Sequence, residues 1–226
     1  MAAKKLAVAV PVVFVSIGFP VEIGLVQSLA HPGGNLTGIA AEAVTETNQK
    51  RLQILKEIVP DLKRVAVLRA VDDQYVGVAV ASLALAANKL GITLLPADIR
   101  SADDLEPAFA DMKRSEAEAV LVPGAALVFQ LSKEIADLAL AARLPSSHMF
   151  REAVIAGGLV SFAPDRKEMT RPAAVQIDKI IKGTSPADIP VEQPTRFELY
   201  INLNTARLLD LTVPPTLLAL ADEVIE

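Results

Sequence analysis

Cysteine and tryptophan are both missing from the 226-residue chain, and aromatic residues make up only 4% of it. The lack of cysteine excludes disulfides, thiolate metal ligands and a cysteine nucleophile, and it is compatible with either redox compartment. Any aromatic stacking in a ligand site must come from the seven Phe and two Tyr. His31 and His148 are the only histidines, so a metal site would need carboxylate ligands, and no local spacing suggests one. We therefore expect no metal site and no cofactor.

A basic surface is also lacking, because 22 Lys and Arg are outnumbered by 27 Asp and Glu, which gives a net charge of -5. Binding to nucleic acid phosphates needs clustered positive charge, so the composition argues against a nucleic acid partner. No Gly-x-Ser-x-Gly motif is present, and neither histidine has a Ser or acidic partner in a recognisable catalytic motif. We therefore expect no catalytic residues and no enzymatic activity.

The sequence has no apolar run long enough to span a bilayer, which takes about 20 residues. Two lysines followed by the apolar run 6–17 resemble the first parts of a signal peptide. Pro11 interrupts that run, however, and no small-residue cleavage pattern follows it. We interpret residues 2–6 as the tail of a helix and 12–16 as a buried strand. Without a signal peptide, a correct start codon would place the protein in the cytoplasm.

What the sequence does contain is a regular alternation of short apolar runs and amphipathic stretches, with 52% hydrophobic residues. Several runs are continuously apolar, which is typical of strands buried on both faces of a parallel sheet. The predicted strands are 12–16, 36–39, 65–68, 92–96, 119–122, 157–162 and 196–201, with 144–147 as a short edge strand or turn. The predicted helices are 21–29, 46–59, 76–90, 101–115, 127–142, 150–155, 165–182, 204–209 and 216–221. This order predicts an α/β fold with parallel sheets flanked by helices.

Local signals mark the ends and faces of several predicted helices. Gly91 is placed to end one helix, and Ser101 with Asp104 forms a capping-box-like start for the next. In the helix 46–59, apolar residues recur at helical spacing, and Arg51 falls on the face that we expect to contact water.

The first candidate ligand-binding loop follows the strand at 12–16. In open α/β sheets, ligands bind at the carboxyl ends of strands. Ser16, Gly18, Phe19 and Pro20 would supply a hydroxyl, backbone N–H groups and an aromatic face. The alternative is a tight turn from strand to helix, with Pro20 at the first helical position.

Two further loops follow predicted strands in the same way. Asp72, Gln74 and Tyr75 would contact a ligand, or the acidic residues there would only cap the next helix. Gly124 and Ala125 would border the same cleft, where small residues either leave room for a ligand or simply permit a turn.

Three more candidates lie later in the chain. Ser161 and Phe162 are interpreted as ligand-binding residues on a strand that crosses between lobes, with ordinary core residues as the alternative. Arg151 either forms a surface ion pair with Glu152 or clamps a ligand carboxylate.

Several sequence blocks, in the same order, resemble the ABC transporter substrate-binding proteins of the tryptophan or aromatic amino-acid type. The most specific are His-Pro-Gly-Gly-Asn-Leu-Thr-Gly at 31–38 and Ala-Gly-Gly-Leu-Val-Ser-Phe at 156–162. The other blocks are 19–26, 50–60, 64–68, 178–183, 186–194, 197–202 and 221–225. The resemblance implies a class I periplasmic-binding-protein fold, in which two lobes close over a ligand by hinge motion.

The resemblance also implies a function and a location. The ligand would be a small molecule, an amino acid or a related carboxylate, and the closed protein would dock on ABC permease subunits in the periplasm. The resemblance implies an Asp, the usual residue of the family, at the position of Phe19, and Phe19 carries no charge to pair with a ligand ammonium group. The alternatives are a cytoplasmic α/β ligand-sensing or regulatory module without a transport role, and an enzyme of the doubly wound class.

The resemblance further divides the chain into lobes and predicts that the amino-terminal lobe is incomplete. Family members have earlier strands and helices in that lobe, so we expect an N-terminally shortened chain with an open strand edge and an uncovered apolar face. A homo-oligomer would cover that face. The predicted division is 1–37 for the partial N-terminal lobe, 38–160 for the C-terminal lobe, 161–195 for the return to the first lobe, and 196–226 for a crossing strand and C-terminal segment.

Overall fold

The structure, a computed structural model, describes residues 10–42 and 46–226. The chain forms two compact units. Unit 1 comprises Met1–Val44 and Pro164–Phe197, and unit 2 comprises Thr45–Ala163 and Glu198–Glu226. The chain therefore passes between the units three times, and the first passage lies outside the described residues. The four segments inferred from the resemblance remain a prediction of how the lobes are composed. The helix tail expected at 2–6 lies outside the described residues.

Nine strands and nine α-helices are formed by the described residues. The strands are β1 (Val12–Gly18), β2 (Leu36–Glu42), β3 (Arg64–Ala70), β4 (Thr93–Ile99), β5 (Ala119–Val122), β6 (Ser146–His148), β7 (Val160–Pro164), β8 (Phe197–Asn202) and β9 (Glu223–Ile225). The helices are α1 (Glu46–Ile58), α2 (Gln74–Leu90), α3 (Leu105–Arg114), α4 (Ala126–Gln130), α5 (Ser132–Ala141), α6 (Arg151–Ile155), α7 (Arg166–Ile181), α8 (Leu203–Leu208) and α9 (Pro215–Leu220). The α/β class is confirmed.

The larger sheet has the order β4-β3-β5-β6-β7-β8-β9 and is mostly parallel. Strands β7 and β8 run antiparallel, because Asn202 N–H donates to the Leu159 carbonyl while Asp165 N–H donates to that of Arg196. In unit 1, β1 and β2 form a separate parallel pair. The order brings the carboxyl ends of β3, β5 and β6 side by side.

The core of unit 2 lies on both faces of this sheet, which explains the continuous apolar runs in the sequence. Val65 and Val67 pack with α1 and α2, whereas Ala66 and Leu68 pack with α3 and α5. Since successive residues of a strand point to opposite faces, a doubly covered strand must be apolar at every position.

The local helix signals are also confirmed. Gly91 ends α2 in the left-handed conformation, with φ of 65°. The Asp104 carboxylate accepts the backbone N–H groups of Arg100 and Ser101, at 2.7 and 2.9 Å. These two bonds hold the pKa of Asp104 below its usual value.

The helix expected at 21–29 is wrong, because residues 20–27 form successive turns instead. Pro20 O accepts from both Leu25 and Val26, and Gly24 has φ of 67°, which no α-helix permits. Val26 nevertheless packs in the core of unit 1 with Phe14 and Leu36. The apolar spacing therefore reflects burial and not helical periodicity.

Three smaller expectations also need correction. The stretch 127–142 contains two helices, α4 and α5, because the chain bends at Leu131 between them. The predicted edge strand near 146 is β6, which lies inside the sheet between β5 and β7. Arg51 does not face water, since it is 0% exposed.

The carboxyl-terminal residues also add a short strand, β9, that pairs with β8. Among the described residues, none of the helices combines the length and apolarity needed to cross a membrane.

Candidate functional site

The predicted ligand loop of unit 1 has an irregular backbone. Ser16 and Phe19 both have positive φ, 63° and 49°, which is uncommon for residues with side chains. The pairing of β1 with β2 skips Ser16, as in a β-bulge. Phe19 N–H donates to the Glu42 carbonyl at 2.6 Å. Such strain concentrates at functional sites, so the backbone is consistent with the predicted role.

The side chains of this loop differ in accessibility. Phe19 and Pro20 are buried, whereas Ser16 and Gly18 are half-buried. Because turns follow Pro20, the alternative of a proline at the first helical position is wrong. The ligand-binding role of the four residues remains a prediction.

In unit 2, the fold brings together the loops that follow β3 and β5, because these strands are neighbours in the sheet. The first loop carries Asp72, Gln74 and Tyr75, and the second carries Gly124 and Ala125. Asp72 and Gln74 are exposed, whereas the other three are buried. Five candidate residues therefore lie at the carboxyl-terminal ends of two neighbouring strands of one sheet.

Tyr75, at the start of α2, is held by hydrogen bonds of its backbone N–H and of its side-chain hydroxyl. Its backbone N–H donates to the Asp73 carboxylate at 3.0 Å, so Asp73 is the helix cap. Its hydroxyl lies 3.4 Å from the Asn48 side-chain amide nitrogen, which donates to it. Both Tyr75 and Asn48 are buried.

Asn48 continues this network toward β7 through a buried arginine. Arg51 Nη1 donates to Asn48 Oδ1 at 2.9 Å, and Arg51 Nε donates to the Phe162 carbonyl at 2.7 Å. Asn48 and Arg51 share one face of α1, since residues three apart are helix neighbours. The structure thus links the predicted residues Tyr75 and Phe162 through two residues that the sequence analysis missed. The only sequence signal was an arginine beside an apolar stripe.

Gly124 is explained by packing. A Cβ atom there would lie 1.9 Å from Met149 Sδ, so the methionine fills the space that a side chain would need. Met149 N–H also donates to the Val122 carbonyl at 3.3 Å. At this position, the missing side chain leaves room for Met149.

Arg151 is engaged by residues of β8. Its Nη1 lies 3.1 Å from the Tyr200 hydroxyl and 3.6 Å from a Glu198 carboxylate oxygen. The guanidinium carbon is 5.7 Å from the centre of the Tyr200 ring, a cation–π distance. The Tyr200 hydrogen bond raises the Arg151 pKa above its usual value. Arg151 therefore anchors β8 in this structure.

Ser161 lies next to a histidine that the sequence analysis did not include in the site. Its register partner on β6 is His148, and both residues are buried. Within the described part of the chain, neither His148 Nε2 nor Ser161 Oγ has a hydrogen-bond partner. Burial lowers the pKa of His148 to about 4, so the imidazole is neutral at physiological pH.

Among residues 10–42 and 46–226, no group of three or more His, Asp or Glu side chains is arranged to hold a metal ion.

Comparison with known proteins gives matches along nearly the whole chain. Residues 1–225 match the family described as ABC transporter substrate binding protein. A curated relative, the tyrosine-binding protein of Clostridioides difficile (strain R20291), is 24% identical over 202 residues, which is 89% of this chain and 57% of the relative. The chain thus spans less than two thirds of that relative's length.

Solved structures give the same picture of the fold. An ABC domain in complex with L-Trp from Streptococcus pneumonia has a TM-score of 0.90 and 26% identity, over 99% of this chain and 77% of that one. A conserved domain protein from Vibrio cholerae has a TM-score of 0.90 and 24% identity, over 98% and 75% of the two chains. A ligand-free, open substrate-binding protein from Clostridium difficile has a TM-score of 0.71 and 21% identity, over 99% and 74%. The last two likenesses concern the fold alone.

Proposed function

The chain belongs to the family of ABC transporter substrate-binding proteins, and from that premise we propose that it is the solute-binding component of an ABC importer for an aromatic amino acid or a closely related aromatic carboxylate. The observation that carries the proposal is the likeness to the Streptococcus protein, which is in complex with L-Trp. The tyrosine-binding relative supports the same ligand class.

The side chains at the strand ends suit an aromatic ligand. In unit 2, Tyr75 and Phe162 offer two aromatic rings, and the Tyr75 hydroxyl and the Phe162 backbone carbonyl belong to one hydrogen-bond network. Small-molecule sites are mostly apolar, with a few polar groups that fix orientation. Backbone N–H groups at the loops after β3 and β5 would receive the carboxylate.

Phe19 carries no charge for the amino group of a ligand, so the proposal includes deaminated carboxylates. The resemblance implies an Asp where this chain has Phe19, and a phenyl ring cannot form an ion pair with an ammonium group. We propose that the four residues of the first loop, including Ser16 and Phe19, contribute from unit 1. Ligand binding would then draw on both units, which close over the solute by hinge motion.

The direct test is a binding screen on the purified full chain. L-Trp, L-Tyr, L-Phe, 3-indolepropionate and 3-phenylpropionate would be compared with glycine and L-glutamate by thermal shift and isothermal titration calorimetry. A ligand at 100 times its Kd should stabilise the protein by about 2.7 kcal/mol. If no aromatic compound raises the melting temperature of protein whose fold is verified by circular dichroism, the proposed ligand class is wrong.

The transport role needs a separate test in cells. Deleting the gene should reduce uptake of the labelled aromatic solute that binds best, and fractionation should find the protein in the periplasm with its permease partner. A ligand-sensing module in the cytoplasm would instead bind the solute and leave uptake unchanged.

A homo-oligomer is an additional part of the proposal. Within the described residues, β1 pairs with β2 alone, and Val15 on β1 is 43% exposed. An open edge of this kind is a template for another strand. Light scattering that gives the mass of one chain at high concentration would exclude a second copy at this edge.

A further inference from the structure

We infer that Arg51 is a positioning residue that stiffens the passage of the chain out of unit 2 at the end of β7. Its consequence for ligand binding rests on the proposed function, whereas its effect on the passage itself does not. Arg51 touches the backbone of β7 through Phe162 and lies on α1, far away in the sequence.

The burial of Arg51 shows that its hydrogen bonds matter. It is 0% exposed, and a guanidinium is costly to bury unless its N–H groups are bonded. Nε donates to the Phe162 carbonyl at 2.7 Å, and Nη1 donates to Asn48 Oδ1 at 2.9 Å. These bonds use two sides of a rigid planar group, so they fix direction as well as distance.

The position of these bonds along the chain gives them their role. Phe162 precedes Ala163, the last residue of unit 2 before the second passage. Helix α1 is the first described element of unit 2 after the first passage, and it begins at Glu46. One guanidinium therefore ties the start of unit 2 to the point where the chain leaves it again.

The same network reaches a candidate ligand residue. Asn48 donates to the Tyr75 hydroxyl at 3.4 Å, so Tyr75, Asn48, Arg51 and the Phe162 carbonyl form a continuous series of hydrogen-bonded contacts. Coupling between two places in a protein is carried by such packed, hydrogen-bonded connections. A ligand that contacts Tyr75 would act on the same groups that hold the end of β7.

The first test is hydrogen–deuterium exchange, measured without ligand. Loss of a bond to a charged donor should expose the end of β7 locally, so peptides covering 158–166 should exchange about tenfold faster in Arg51→Met than in the wild-type chain. Peptides covering β5 should exchange at the wild-type rate. If Arg51→Met does not fold, Arg51→Lys serves in its place. Lysine keeps the positive charge, but its ammonium group cannot reproduce the two hydrogen bonds of the planar guanidinium.

Arg64→Met is the control for loss of an arginine bond to a backbone carbonyl. Arg64 Nε also donates to a backbone carbonyl at 2.7 Å, that of Glu116, but at a distance in sequence from all three passages. It should leave the exchange of 158–166 unchanged. If the Arg51 variants accelerate exchange equally in β5 and β7, or in neither, Arg51 has no specific role at the passage and the inference is wrong.

A second measurement separates this inference from the proposed function. Because the chain has no cysteine, Lys89→Cys in unit 2 and Lys179→Cys in unit 1 give two unique and exposed labelling sites. Without ligand, Arg51→Met should broaden the distribution of energy-transfer efficiencies between the two dyes, and Arg64→Met should not. An unbroadened distribution would overturn the inference. If L-Trp and L-Tyr leave the wild-type distribution unchanged, the proposed function loses support, while the ligand-free comparison still decides the role of Arg51.

Discussion

His148 and Gly158 pack so closely that a Cβ atom on the glycine would lie 2.6 Å from the imidazole Nε2. The histidine is 2% exposed, and in the part of the chain described here its Nε2 forms no hydrogen bond. A neutral imidazole is thus enclosed in the core of unit 2, where a positive charge would be poorly solvated.

We expect the protein to lose stability as the pH falls from about 6.5 toward 4. Burial lowers the pKa of His148 from 6.5 to about 4, so in this range the unfolded chain binds a proton that the folded chain does not. The stability is fully present above pH 6.5 and should fall by about 3 kcal/mol by pH 4. Urea unfolding at pH 7.5, 6, 5 and 4 measures the change. Subtracting the pH dependence of the His148→Leu variant from that of the wild-type chain removes the contributions of all other titratable groups. An equal pH dependence in the two proteins would contradict the prediction.

Gly158→Ala should destabilise the protein by about 1–3 kcal/mol, because overpacking forces neighbouring atoms to move. The added Cβ would meet His148 Nε2 at 2.6 Å and the Ala153 carbonyl at 2.9 Å. Gly34→Ala is the control, since no atom lies within 4 Å of a Cβ there, and it should change the free energy of unfolding by less than about 0.5 kcal/mol. Similar urea midpoints for the two variants would contradict the prediction, because they would show that the atoms around Gly158 accommodate the added methyl group without loss of stability.

Gln176 should be essential to the packing of unit 1. It is 0% exposed, and its Nε2 lies within 3.3 Å of the carbonyls of Gly38 and Pro190 and of a carboxylate oxygen of Glu192. Gln176→Leu should cost about 1–3 kcal/mol because buried acceptors lose their donor. Gln176→Glu should cost more, since it replaces the donor with a further acceptor that faces the three existing ones. The melting temperatures of the two Gln176 variants are compared with that of Gln130→Leu. This control replaces an exposed glutamine and should have little effect.

The fold was largely predictable because its strongest determinants are local. The run 65–68 is apolar at every position since both faces of β3 are covered, and Gly91 marks the end of α2 by the conformation that only glycine adopts easily. The turns at 20–27 were missed because apolar spacing alone does not distinguish a helix from turns that pack on a sheet.

The network at Arg51 could not have been predicted from local sequence. Its acceptor Phe162 is 111 residues away, and an arginine beside a lysine on an amphipathic helix normally faces water. Likewise, the sequence leaves open whether Gly124 makes room for a ligand or permits a turn, and only the three-dimensional structure brings Met149 next to it. Residues that act through long-range contacts carry no periodic signal, so the candidate site was predicted less completely than the fold.

Tyr75 offers a test of how its ring and hydroxyl divide their roles. Tyr75→Phe removes the contact with Asn48 but keeps the ring, so the Kd for the best aromatic ligand should change by less than about fivefold if the ring is what the ligand contacts. Tyr75→Ala removes both and should weaken binding by more than about tenfold. Calorimetric titration gives the Kd of each variant and shows whether the ring or the hydroxyl of Tyr75 contributes to binding. Equal losses would assign the effect to the hydroxyl and its network.

Phe19→Asp should change which ligands bind, because it introduces the carboxylate that the sequence resemblance implies at this position. Phe19 has φ of 49°, a conformation that Asp adopts more readily than Phe, so the backbone should accept the change. The new carboxylate would pair with an ammonium group and favour L-Trp over 3-indolepropionate, by about tenfold or more relative to the wild-type chain. Phe19→Asn has the same shape without the charge and should leave the preference unchanged. Calorimetry with both ligands gives the ratio of Kd values for each variant. If Phe19→Asp folds and its ratio matches that of Phe19→Asn, the side chain at this position does not contact the ligand's amino group.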